Sequence, residues 1–168
     1  MNFGELSDLF INYTGAEGDV DSAQLASWFN EAQLDLAYDF TRAEELTLAD
    51  SEIILPSNCL RIVDCSSSYS VLPTGKLMVD SIPAILYYTP IPEAFTGTNT
   101  MQESALPGAI HYLLAMFAAS RYWDLESEGD AEESGHANKW MSYYLQGKAA
   151  AKSRLNTFGI KLDKWRVE

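Results

Sequence analysis

One stretch of this chain has the spacing of a metal site. Asp124, Glu126 and Glu128 put carboxylates at the first, third and fifth positions of an EF-hand loop, and Gly129 follows at the sixth. The match then stops. The twelfth position, where such a loop brings a bidentate glutamate, is Gly135, so the segment reads as a solvated acidic connection and no metal ligand is assigned. Asp35 and Asp39 stand one helical turn apart, the spacing of a general acid/base pair, but nothing in the sequence marks them as buried and they read as surface charges. His111 and His136 have no His-x-x-x-His or His-Glu-x-x-His partner, and no nucleophile elbow, Gly-x-Gly-x-x-Gly run or phosphate-binding loop occurs. Cys59 and Cys65 have no second cysteine pair with which to build a zinc site, and read as structural thiols in a reducing compartment. The expectation is a protein with no catalytic residue and no cofactor, and so not an enzyme.

Charge narrows the partners. The net charge is −13, and its distribution is uneven: residues 1–138 hold 22 acids against four basic residues, whereas residues 139–168 hold seven basic residues against two acids. An acidic body is poorly suited to gripping DNA, because neutralisation of phosphate is the main source of nucleic-acid affinity. It suits a surface past which DNA slides. The first residues, MNFGELSDLF, carry acids where a signal peptide needs a basic region, and secretion is not expected. The longest nearly apolar run, Ala109 to Ala119, is too short to span a bilayer, so no membrane contact is expected.

The elements that would position these residues follow from periodicity. Apolar residues at helical spacing predict helices over about 3–13, 21–43, 107–126 and 137–155, with Asp21 or Ser22 as the cap of the second. Between about 46 and 90 the period shortens to that of strands, with turns at Asp50-Ser51, Ser57-Asn58 and Pro73-Thr74-Gly75, which predicts four or five short antiparallel strands. Pro90 and Pro92 end that sheet. The polar stretch Thr96 to Ser104 is the expected mobile loop. The expected fold is mainly α: a helical bundle with a small antiparallel β insert at about 46–90, forming one domain over 1–155, then an extended C-terminal tail over 156–168. In that tail Phe158, Ile160 and Leu162 alternate with polar positions, and Trp165 stands among charges.

The order of these pieces resembles the head-to-tail adaptor proteins of tailed bacteriophages, also called connector or head-completion proteins. The resemblance covers about residues 20–155. It rests on Ile54-Leu55-Pro56-Ser57-Asn58-Cys59-Leu60-Arg61-Ile62 entering the β insert, Gly75-Lys76-Leu77 as its hairpin and Ala84-Ile85-Leu86-Tyr87-Tyr88 returning from it. Leu106-Pro107 with His111 and Ala118-Ala119, then Gly129-Asp130 with Ala137 and Trp140, resemble the helices that follow. The resemblance implies a structural virion protein in the neck below the portal, present in the host cytoplasm during assembly. It implies a twelvefold ring of copies of itself that extends the DNA channel and provides the platform for a downstream tail or stopper protein. Packaged DNA would pass the lumen without sequence-specific binding. The C-terminal segment would bind the portal protein, with Phe158, Ile160, Leu162 and Trp165 as apolar anchors and Lys161, Lys164 and Arg166 pairing with acids around them.

Other readings of the same residues stay open. The tail can instead fold onto its own body. The whole chain can be an acidic soluble interaction protein, such as a DNA mimic or an inhibitor of a basic partner. A metal-dependent hydrolase built on the acidic turn and His136 is a third reading, distinguished by loss of function on chelation.

Overall fold

The computed structural model describes residues 1–127 and 131–157. Helix α1 spans Phe3–Thr14 and begins with a reciprocal cap: Asn2 Oδ1 accepts from the Glu5 amide at 2.9 Å, and Glu5 Oε2 accepts from the Asn2 amide at 2.9 Å. It ends at Gly15, whose left-handed backbone (φ 74°) lets its N–H reach the Ile11 carbonyl. Helix α2, Ser22–Phe40, is capped by Asp21, which accepts from the Gln24 amide at 2.7 Å. It stops short of the expected residue 43, because Thr41 is already extended and the first strand begins at Glu44.

Six strands follow: β1 Glu44–Leu48, β2 Glu52–Ile54, β3 Cys59–Cys65, β4 Tyr69–Val71, β5 Lys76–Val79 and β6 Ala84–Pro90. They form two three-stranded antiparallel sheets, ordered β1-β6-β3 and β2-β5-β4. Leu48 from β1, Leu77 and Val79 from β5, and Ala84 and Leu86 from β6 are buried together, with Leu46, Ile53 and Ile62 packed around them. A connection through a short 3₁₀ turn at Gly108–Ile110 leads to α3, Tyr112–Glu126, and α4 then runs from Ala131 to Thr157.

This overturns the expected mainly α architecture. Helix makes up 48% and strand 21%, and the fold is a mixed α/β one with two separate sheets, not a helical bundle with a small β insert. The physical reason is the second core. Period-two alternation in β1, β5 and β6 turns enough apolar side chains inward to close a core between the two sheets, so the strands do not lean on the helices as an appendage. Helix α4 also starts six residues before the expected 137, with Glu132 and Glu133 in its first turn, where carboxylates favour helix formation. It continues through Thr157, so the expected tail from 156 begins inside a helix.

The helical core is centred on α3, whose Leu113, Leu114, Ala115, Phe117, Ala118 and Ala119 are buried around most of its circumference. Phe10 of α1 meets Tyr122 edge to face at 5.8 Å, and Phe117 meets Tyr144 of α4 at 5.2 Å. The segment joining β6 to α3 closes the other side. Phe95 is buried against Phe3 and Phe29 at 5.6 and 6.2 Å, and the side chain of Asn30 on α2 holds its backbone at both ends, accepting from the Phe95 amide at 2.7 Å and donating to its carbonyl at 2.9 Å. Buried Gln33, one turn on, donates to the Glu93 carbonyl and accepts from Ser104 Oγ.

The stretch Thr96 to Ser104, expected to be mobile, is therefore tethered. Its Thr100 and Gln102 carbonyls accept from the Gly4 and Phe3 amides, which are free donors at the start of α1. Gly97 (φ 76°) lies so close to α2 that a Cβ there would sit 2.5 Å from the Ser22 carbonyl oxygen, so only glycine fits.

Two outcomes are expected. Asn30→Ala should lower unfolding stability in urea by about 2 kcal/mol, because it strands a buried amide and carbonyl at once. The second concerns His111, which is buried, donates from Nε2 to the Leu106 carbonyl at 2.6 Å and accepts from the Met1 amine at Nδ1. Burial holds its pKa below the ordinary 6.5, so the unfolded chain takes up a proton before the folded protein does. This contribution is complete above the unfolded value and is lost as pH falls toward the folded one. The urea midpoint should be lower at about pH 5.5 than at about pH 7.5, and His111→Gln should shrink the difference.

Candidate functional site

The residues with the best chemical spacing are absorbed into structure. Asp35 and Asp39 face α4, where Lys148 Nζ lies 2.8 Å from Asp35 Oδ2 and 3.4 Å from Asp39 Oδ2, and Lys152 Nζ lies 2.7 Å from Asp39 Oδ1. Tyr144, one turn before Lys148, donates its hydroxyl to Asp35. Burial pushes the Asp39 carboxyl up, but the hydrogen bonds and charges of Lys152 and Lys148 outweigh it and hold the group below the usual carboxylate range. A carboxylate so held stays ionised and accepts hydrogen bonds, which disqualifies it as a proton donor near neutral pH. The pair, expected as free surface charge, is a clamp between α2 and α4.

The acidic connection is likewise divided between helices. Asp124 and Glu126 lie in the last turn of α3, while Glu132 and Gly135 lie in the first turns of α4, so the twelve-residue loop an EF-hand needs does not form. Among the described residues no group of three His, Cys, Asp or Glu side chains comes together to hold a metal ion. His136 packs on the Trp123 ring at 4.9 Å between centroids, and His111 is engaged in the core, so the two histidines are not brought together. Cys59 and Cys65, both on β3, are half-buried free thiols, and burial raises the Cys59 pKa, which suits structural packing over nucleophilic chemistry. Among the described residues no helix is long and apolar enough to cross a membrane.

Surfaces remain. The outer face of the β2-β5-β4 sheet carries Ile54 and Met78, 77% and 43% exposed, on either side of a Lys76–Glu52 ion pair at 2.6 Å. Strand β4 is exposed along its whole length, with Tyr69 and Val71 adding apolar area at the sheet's edge. On α2, Tyr38 is 53% exposed under the Arg61 guanidinium, 4.5 Å from its ring centre, and Leu34 is exposed one turn before it. Exposed apolar side chains gathered on one face have the character of a contact surface.

The expected portal-binding residues Phe158, Ile160, Lys161, Leu162, Lys164, Trp165 and Arg166 lie outside the described residues. What the structure supplies is the helix that leads to them. Sequence reasoning placed Lys148 and Lys152 on the expected helix 137–155 and counted them only among the basic residues of 139–168, without pairing them to Asp35 and Asp39 in the α2–α4 clamp. The signal was present: two acids four apart on one helix and two lysines four apart on another are matched in spacing. The exposed sheet face had no such signal, since alternation alone does not say which face stays open.

No family model and no curated protein matches this chain.

Replacing Lys148 with methionine tests the clamp. The stability cost should be about 1–2 kcal/mol, since the group is partly buried and its loss leaves the two carboxylates with Lys152 as their one remaining cation in the clamp. In an NMR titration the Asp39 carboxyl of this variant should move up toward its ordinary value. In the parent protein the stability from Asp39 is present above the ordinary carboxylate pKa and lost as pH falls through the folded value, and in the variant that acid-side loss should be smaller.

Proposed function

We propose that this chain is a structural virion protein, a head-to-tail adaptor that forms a ring under the portal of a tailed bacteriophage, extends the DNA channel and carries the tail or a stopper protein. The observation that supports this most directly is α4. It is 27 residues and about 40 Å long, it is pinned to α2 by Lys148 and Lys152, and it leads into the apolar, basic segment that resembles a portal-docking tail. A rigid stalk with an anchor at its end suits attachment to a larger assembly. The open face of the β2-β5-β4 sheet supports the ring, because a neighbouring copy offers a surface on which Ile54 and Met78 can be buried. The acidic body suits a channel past which DNA moves without adhering.

Co-sedimentation of the purified chain with its cognate portal tests this reading, with full-length protein beside a version ending at Leu155. Full-length protein should bind and the truncated form should not, with added mass at the portal's symmetry in electron micrographs. Binding by neither form would overturn the adaptor reading in favour of an acidic interaction protein that acts on a basic partner. Binding by both would move the contact out of the tail.

A further inference from the structure

The last turns of α4 do not close against the start of α3. Between them, beside the end of α2, lies a cavity of about 210 Å³ whose lining includes Phe40, Ala109, Ile110, Tyr112, Ala151 and Arg154. The cause is side-chain size. Three of the eight lining residues, Ala109, Ala150 and Ala151, are alanines, and methyl groups on the facing turns leave a gap that the buried Phe40 and Ile110 do not fill.

Arg154 gives the hollow its character. Lys76, Arg121, Lys148 and Lys152 each have a carboxylate within ion-pair distance. Arg61 and Lys139 lie over the rings of Tyr38 and Tyr143. Arg154 is exposed and has no carboxylate partner among the described residues. An apolar hollow lined in part by an exposed arginine that has no carboxylate partner among the described residues suits a ligand with a bulky apolar side chain beside a carboxylate.

We infer that this cavity is a docking site for an apolar-acidic peptide segment of a protein partner, which inserts one leucine- or phenylalanine-sized side chain between α3 and α4 and sets a carboxylate on Arg154. The chain's own residues 158–168 are the competing occupant. Their net charge argues against them, since Lys161, Lys164 and Arg166 outnumber Asp163 and Glu168 and flank the Leu162–Asp163 pair that would otherwise suit the hollow. The site is separate from the proposed tail contact with the portal and does not depend on it.

The test uses the full chain, labelled with ¹⁵N, and two short probes: acetyl-Glu-Glu-Phe-Leu-Glu-Glu-amide and its counterpart with lysine in place of every glutamate. The net charge of −13 would favour the lysine probe if binding were nonspecific, so a preference for the glutamate probe isolates Arg154. The glutamate probe should shift the Ile110, Ala150 and Ala151 amide signals, and the lysine probe should bind there at least about threefold more weakly. Arg154→Glu, an exposed change that leaves the fold intact, should reverse the preference, and Ala151→Trp should fill the hollow and remove both responses. Equal binding of the two probes, or no shift at these amides with either, would overturn the inference. So would a shift of the same amides when residues 158–168 are deleted with no probe present, because the tail would then be the occupant. None of these outcomes depends on whether the portal is bound.

Discussion

The bond pair between the Asn30 side chain and the Phe95 backbone holds the rest of the arrangement together. The chain leaves the sheets at Pro90 and must cross both α1 and α2 before α3 can begin. An irregular backbone laid against two helices loses water from part of its length, and is expensive where the amides and carbonyls so covered find no partner. Asn30 and Gln33 supply those partners from α2, and in return the crossing segment supplies the Thr100 and Gln102 carbonyls that complete the start of α1. Three aromatic rings, Phe3, Phe29 and Phe95, then pack where the three segments meet. Remove the amide of Asn30 and the crossing, the α1 terminus and the aromatic contact lose their common support.

The same logic separates what the sequence disclosed from what it did not. The helices were legible because Leu25, Phe29, Leu36 and their neighbours repeat at a helical period and Asp21 marks a start. The strands were legible as strands, but not as two sheets, since pairing β1 with β6 and β2 with β5 joins residues far apart in sequence and local alternation carries no record of the partner. The tethered loop was misread for a related reason. Thr96 to Ser104 is polar, and polarity looks like solvent exposure until the donors of a distant helix terminus are seen to need its carbonyls.

The candidate chemistry divides along the same line. The break in the calcium-loop pattern at Gly135 could be read directly, whereas the placing of its described residues in the ends of two helices could not. The Asp35–Asp39 pair could not be resolved from one helix alone, because its partners Lys148 and Lys152 lie more than a hundred residues away. Surfaces are harder still. Ile54 and Met78 are exposed, whereas Ile53 and Leu77, their immediate neighbours, face the core, and nothing in that pattern says which side a partner will cover.

Among the described residues there are two cores that share no buried residue, one among the helices and one between the sheets. They are linked by the three residues after Phe40, by the longer crossing after Pro90, and by Leu60 and Arg61 of β3, which pack on the helical core and on Tyr38. Two such units need not melt in one step. The sheets can open locally while the helical core stays closed, so amides such as those of Leu77 and Leu86 would exchange with solvent on a different schedule from those of Leu113 and Leu114. Weakening one core would add to weakening the other instead of compounding it. In mechanical terms the two cores are separate units that each carry load, and the contacts of Leu60 and Arg61 with the helices are the seam along which strain in one would reach the other.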